Sequence, residues 1–95
     1  MNKYEMGVVF KPTLEEDALK EELGKVQDLI ARFGGTVEKV DEWGKRRLAY
    51  EIKYISEGYY DFITFSAESG APAELESRMR IMENVLRYLI IRIDE

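Results

Sequence analysis

The stretch YEMGVVFKPTLEEDALKEELGKVQDLIARF, residues 4–33, decides the fold, because its hydrophobic period changes partway along. Its first seven residues alternate between firmly apolar and other side chains, which is typical of a strand with one buried face. Apolar residues then recur every three or four positions, which predicts a helix of about five turns. The apolar strand positions are Tyr4, Met6, Val8 and Phe10, and the helix positions are Leu19, Leu23, Val26, Ile30 and Phe33.

The residues that flank this helix carry start and stop signals. The pair Lys11-Pro12 ends the strand, since proline has no backbone donor for a sheet. Thr13 and Glu16 have the spacing of a capping box, in which the hydroxyl and the carboxylate each accept a backbone N–H. Gly34-Gly35 predicts the carboxyl-terminal stop.

The rest of the chain predicts two strands, a second helix and a last strand. Residues 36–52 are extended, with an interruption at 42–45 that includes Gly44 and indicates a bulge or turn. Ser56-Glu57-Gly58 predicts the next turn, and residues 59–67, rich in aromatic and β-branched residues, a third strand. Pro72 suits a helix start, and residues 85–93 predict a fourth strand. The apolar stripe of the second helix is Leu75, Met79 and Met82.

The predicted order is strand, helix, strand, strand, helix, strand. Right-handed crossovers through the two helices interleave the strands into one four-stranded antiparallel sheet with both helices on one face. This is an α+β, ferredoxin-like architecture, and residues 1–95 are enough for one such domain.

Composition excludes several functional classes. The chain has no cysteine and no histidine, so the usual triads, thiolate nucleophiles and zinc sites cannot be built. The sequence offers no glycine-rich phosphate loop, so we expect neither an enzyme nor a cofactor. The amino terminus lacks the order of a signal peptide, and no apolar run approaches the ~18 residues of a membrane span, which predicts a soluble cytoplasmic protein.

The net charge of −5 is unusual for a protein that holds RNA by itself, so any RNA contact must come from a local basic patch. Lys45, Arg46 and Arg47 form such a run beside Trp43 and Tyr50. Guanidinium groups can pair with phosphates, and a ring can stack on a base. A solvated loop is the simpler explanation of three consecutive cations. Further arginines that could extend the patch are Arg78, Arg80, Arg87 and Arg92, although Arg78 and Arg80 are better explained by pairs with Glu74, Glu76 and Glu83.

The sheet carries more apolar residues than one covered face requires. These residues, opposite in parity to the predicted core positions, are Val9, Tyr60, Phe62, Leu89 and Ile91. A contiguous exposed apolar patch commonly marks a protein interface, and stacked RNA bases are the other possibility. A third explanation is a bulge that reverses the parity of the strand. It stays open because the assignment without a bulge puts the charged Asp61 on the buried face.

Several segments resemble the bacterial small-subunit ribosomal protein six family, in order and over almost the whole chain. The most specific is the Gly-x-Arg-Arg-Leu-Ala-Tyr segment at residues 44–50. The other matching segments are residues 3–5, Pro12, residues 37–40, residues 58–60, and residues 80–81 with 84–87.

The resemblance implies a heterodimer with the basic small-subunit ribosomal protein eighteen, which binds the central domain of the small-subunit (16S) rRNA during assembly. On the matched positions and the basic patch, the expected RNA-binding residues are Lys3, Tyr4, Lys45, Arg46, Arg47, Lys53, Arg87 and Arg92. The expected partner-binding residues are Trp43, Tyr50, Tyr60, Phe62, Leu89 and Ile91. Basic residues that relatives often carry at Asn2 and near residues 54–56 are missing here.

The fold alone allows a different class of function. A ferredoxin-like regulatory module that self-associates through its sheet and binds a small ligand would also expose an apolar face. Size-exclusion chromatography with and without the basic partner separates the two hypotheses.

Overall fold

The computed structural model describes residues 1–52 and 54–93. Its elements confirm the predicted order and the ferredoxin-like fold. They are β1 (Asn2–Phe10), α1 (Glu16–Arg32), β2 (Thr36–Ile52), β3 (Ile55–Ala67), α2 (Ala71–Met79) and β4 (Val85–Arg92).

The four strands form one sheet in the order β2-β3-β1-β4, with every neighbouring pair antiparallel. The register aligns Gly7 of β1 with Phe62 of β3 and Leu89 of β4, so these three positions lie on one face of the sheet. Met6, Ile63 and Ile90 are aligned in the same way on the opposite face. Since successive strand residues point to opposite faces, this register fixes the orientation of most of the sheet.

The core lies between the sheet and the two helices. Met6, Ile63 and Phe65 of the sheet are fully buried, and Val26 and Ile30 of α1 pack against them. Each such side chain contributes about 1.5 to 3 kcal/mol of stability through burial. The apolar stripe predicted for α1 is therefore confirmed, as are Leu75 and Met79 of α2, whereas Met82 packs on the core just beyond that helix.

The start of α1 differs from the prediction and its end agrees. The N-cap is Glu15, without a side-chain cap hydrogen bond, so the capping box at Thr13 and Glu16 is wrong. Thr13 lies in a preceding turn that the Leu14 N–H closes on the Lys11 carbonyl, and the helix begins too late for the Thr13 hydroxyl. The end is as predicted, because Gly34 adopts φ +83°.

The hairpin of β2 and β3 is longer than the sequence pattern indicated. The turn predicted at Ser56-Glu57-Gly58 is wrong, because these residues belong to β3 and Ile52 pairs with Ile55 across the turn. The interruption near Gly44 is confirmed as a bulge: the β2–β3 register shifts between Glu42 and Gly44, where Gly44 has φ +80°. The strand continues through the bulge.

Candidate nucleic-acid and protein interface

We call the side of the sheet that the helices leave bare the open face. The register and the side-chain contacts place on it Lys3, Glu5, Gly7 and Val9 of β1, Lys39, Asp41, Trp43 and Arg46 of β2, Tyr60, Phe62 and Thr64 of β3, and Arg87, Leu89 and Ile91 of β4. The parity predicted for the surplus apolar residues is thus confirmed.

No helix among residues 1–52 and 54–93 is long and apolar enough to cross a membrane.

The open face has an apolar centre. A groove of about 210 Å³ is lined by Tyr60, Phe62, Arg87 and Leu89 around Gly7. Leu89 is 62% exposed and Ile91, further along β4, is 46% exposed. Apolar surface exposed to water costs free energy, and burial of this group of side chains against another molecule would remove that cost. The centre of the open face therefore has the composition of a docking surface.

Asp61 lies on the other side of the sheet, as its parity predicts. It is 3% exposed, and its Oδ2 atom accepts no hydrogen bond from the part of the chain that the structure describes. Burial, helped by the charge of the cross-strand Glu42, raises the pKa of the Asp61 carboxyl to about 6. The register aligns Asp61 with Val8 of β1 and Glu42 of β2, so no bulge in β3 has reversed its parity, and a charged residue does occupy the buried face.

A guanidinium and two rings are in contact at one edge of the groove, where the two ring planes are tilted by 56°. The Trp43 ring lies 4.6 Å from the Phe62 ring, centroid to centroid, and the Arg46 guanidinium carbon lies 5.7 Å from the Trp43 ring. The bulge at Gly44 turns Trp43 to the open face, so that this contact follows from the local sequence. Cation–π contacts of this kind hold a guanidinium in place while leaving its N–H donors free for an anion.

A second guanidinium–ring contact joins distant parts of the sheet. The Arg87 guanidinium carbon of β4 lies 5.2 Å from the ring centroid of Tyr50 on β2. These strands occupy opposite edges of the sheet, so the far end of the β2–β3 hairpin must curl towards β4. Gly58 of β3 leaves room for the Val9 side chain of β1, because a Cβ atom at that position would overlap Val9 Cγ1. The hairpin and the open face thereby form one continuous surface.

The basic run does not form a single patch. Strand alternation sends Arg46 to the open face and its two neighbours the other way. Lys45 is aligned with Tyr59 and lies 5.3 Å from that ring, while Arg47 is aligned with Glu57. The three cations therefore flank both sides of the hairpin.

The remaining expected RNA-binding residues have different environments. Tyr4 is buried and its ring stacks on Phe65 at 5.5 Å, so it belongs to the core and presents no ring to a nucleic acid. Lys3 pairs with Glu38 at 3.4 Å, and the Ser66 hydroxyl donates a hydrogen bond to the same carboxylate, which lowers the Glu38 pKa.

Arg92 and Lys53 complete that set. Arg92 is aligned with Tyr4, which assigns it to the opposite face from Arg87, because the two arginines are an odd number of positions, five, apart along β4. Lys53 lies outside the described residues. Arg78 contacts the Phe33 ring at 5.9 Å, and the pairing expected for Arg78 and Arg80 with nearby glutamates is not among the ion pairs of the described residues.

A ferredoxin-like domain with one apolar open face, guanidinium–ring stacks and a projecting hairpin is a binding module. The sequence profile described as ribosomal protein S6 matches residues 3–92. Small ribosomal subunit protein bS6 of Clostridium botulinum is 46% identical over 91 residues, which cover 96% of this chain and 97% of that protein. The bS6 of Alkaliphilus oremlandii is 45% identical over 95 residues, with 100% of each chain covered.

The crystal structure of 30S ribosomal protein S6 from Thermotoga maritima is similar to the present fold with a TM-score of 0.91 at 29% identity, over 97% of this chain and 87% of that one. The chain belongs to the ribosomal protein S6 family. It is accordingly a structural, non-enzymatic protein of the small ribosomal subunit, and its place is on the ribosome in the bacterial cytoplasm.

Proposed function

We propose that the chain binds the central domain of 16S rRNA as a heterodimer with the basic small-subunit ribosomal protein eighteen. The observation that carries this proposal is the uncovered apolar centre of the open face, bordered by Arg46 and Arg87. Apolar area with guanidiniums at its border suits a surface that meets protein at its centre and phosphate at these two arginines, although Glu5 and Asp41 lie on the same face.

The charge of the chain explains why a protein partner is needed. With 14 cations and 19 anions, its net field repels phosphate. A basic partner reverses the sign of the combined field, and each additional phosphate contact then releases counterions from the RNA. We therefore expect this chain to bind RNA weakly in the absence of its partner.

The open face supports a division of labour between its residues. Tyr60, Phe62, Leu89 and Ile91 form the partner surface, because they supply apolar area without charge. Trp43 and Tyr50 support the two guanidiniums of Arg46 and Arg87 through the contacts described above. Lys45 and Arg47 then meet RNA from the other side of the hairpin.

Membership of a ribosomal protein family argues against the hypothesis of a ferredoxin-like regulatory module. The two hypotheses still make opposite predictions for the pure protein. The proposed function requires that addition of the basic partner converts it into a heterodimer, whereas a regulatory module would self-associate and ignore that partner.

A gel-shift titration on central-domain RNA tests the proposal. We expect the heterodimer to bind at least about tenfold more tightly than this chain alone, because the basic partner changes the sign of the field. Equal RNA affinity with and without the partner would contradict it. The salt dependence of both affinities should be recorded in the same titration.

A further inference from the structure

We propose that Tyr54, at the tip of the β2–β3 hairpin, stacks on an unpaired base of the RNA. This inference rests on the proposed function and adds a contact that neither the matched segments nor the basic patch predicted. Tyr54 is 96% exposed, more than any other large apolar or aromatic side chain in the described part of the protein. A tyrosine ring contributes to stability or binding only when another surface buries it, and a flat partner buries the most of its area.

The backbone at this position is strained. Tyr54 has φ +67°, and it is the non-glycine residue with positive φ among residues 1–52 and 54–93. This left-handed conformation favours glycine or asparagine and costs a tyrosine of order 1 kcal/mol. A turn selected for stability would therefore carry a different residue, so the ring itself is the feature that needs an explanation.

The tip lies beyond the last residue pair that joins β3 to β1. The pairing of β3 with β1 ends at Tyr59, which is aligned with Phe10, whereas β3 begins at Ile55. Four further residues at about 3.3 Å each carry the turn roughly 13 Å beyond this last pair. A side chain at such a distance can enter a loop or bulge that the body of the domain does not reach.

The charge of the hairpin selects RNA as the occupant. Residues 45–58 contain four cations and two anions, a net charge of +2, so the other residues together carry −7. A basic arm on an acidic body is drawn to phosphate and is repelled by a basic protein partner. Base stacking on aromatic rings beside cationic side chains is a common way to hold unpaired nucleotides.

Four variants at this position distinguish a stacking ring from other roles. Tyr54→Asn removes the ring and keeps a residue that tolerates the left-handed turn, and Tyr54→Leu keeps apolar bulk without a flat ring. Tyr54→Phe and Tyr54→Trp preserve the ring. Ile81→Asn is the matched control, because Ile81 is 74% exposed and lies just beyond α2, in a groove between α1 and the end of α2 that we call the helix groove.

The experiment measures binding of each variant, as the heterodimer with the basic partner, to a central-domain RNA transcript. We expect Tyr54→Asn and Tyr54→Leu to weaken RNA binding roughly 5- to 100-fold, since stacking contributes that much per base. Tyr54→Phe, Tyr54→Trp and Ile81→Asn should stay within about twofold of the unmodified pair, and the salt slope should not change, because stacking releases no counterions.

Four results would overturn the inference. Equal affinity of all Tyr54 variants would show that the ring contacts nothing, and full retention by Tyr54→Leu would show that apolar bulk suffices. Weaker heterodimer formation by Tyr54→Asn in the absence of RNA would assign the tip to the protein partner. If the unmodified heterodimer binds RNA but the Tyr54 variants show no stacking, the proposed function is unaffected. If the unmodified heterodimer does not bind RNA, both the stacking contact and the proposed function are contradicted.

Discussion

The two faces of the sheet are made from the same four strands and have opposite fates. On the helix-covered face Met6, Ile63 and Phe65 are fully buried, whereas Leu89 and Ile91 on the open face remain about half exposed. Both faces obey the same period-2 alternation. Apolar residues on a strand therefore indicate where a surface is to be covered, and the covering element can belong to another molecule.

The first prediction sets the stability of the two faces against each other. Ile30→Ala on α1 should cost about 2 to 5 kcal/mol, because it opens a cavity in the covered core. Leu89→Ala on the open face should change stability by no more than about 0.5 kcal/mol. Chemical denaturation of both variants provides the measurement. A cost below about 1 kcal/mol for Ile30→Ala would mean that α1 is not docked as described.

The second prediction concerns a polar group on the covered face. Burial raises the Asp61 pKa to about 6, so the folded state binds its proton more tightly than the unfolded state does. The contribution of Asp61 to stability should therefore fall as the pH rises from about 4 to about 6 and stay low above it. Asp61→Asn should flatten this part of the profile and stabilise the domain at pH 7 by about 1 to 3 kcal/mol.

Thermal melts of the unmodified chain and of Asp61→Asn at several pH values between 4 and 7 measure this difference. Glu42→Gln is the matched control, since it removes the second and smaller cause of the shift while Asp61 stays buried. Parallel pH profiles of the unmodified chain and Asp61→Asn would contradict the assignment of this carboxyl.

The third prediction asks whether RNA contact is confined to one face. Arg46 and Arg47 are neighbours in sequence and lie on opposite sides of the hairpin. Replacing both by glutamine should weaken RNA binding by the heterodimer. The slope of log affinity against log salt should flatten by roughly 0.7 to 0.9 for each phosphate that is no longer neutralised, the values for single-stranded nucleic acid and for duplex DNA. Each single variant then reports on one side. An unchanged affinity and slope in the double variant would contradict the role of the basic run.

The fold was largely predictable, because its signals are local and repeated. The stripe that ends at Phe33 and the alternation that ends at Phe10 each extend over several turns or pairs, so the whole pattern outweighs any single residue. The predictions that failed concern boundaries. Thr13 suits a cap in isolation, and Ser56 suits a turn, but the helix begins after the first and the long hairpin extends through the second.

The candidate site was predictable in composition and less so in geometry. The sequence showed that Phe62 and Leu89 share a face, because parity is a short-range property. It could not show that Tyr50 reaches Arg87, since that contact depends on the curl of the hairpin across the sheet. The burial of Tyr4 is the opposite case: its parity with Met6 already pointed to the core, and the resemblance overrode it.

Heterodimer formation by Phe62→Asp tests the central claim, that a partner covers the open face, most directly. Phe62 is half-buried against Trp43, so the isolated variant should lose less than about 8 °C in melting temperature, equivalent to about 1 kcal/mol. Ile81→Asp, at the helix groove, is the matched control and should bind the partner normally.

In size-exclusion chromatography with the basic partner, Phe62→Asp should remain monomeric, because complex formation would desolvate an unpaired carboxylate. A variant that still forms the heterodimer, or that unfolds when alone, would contradict the account.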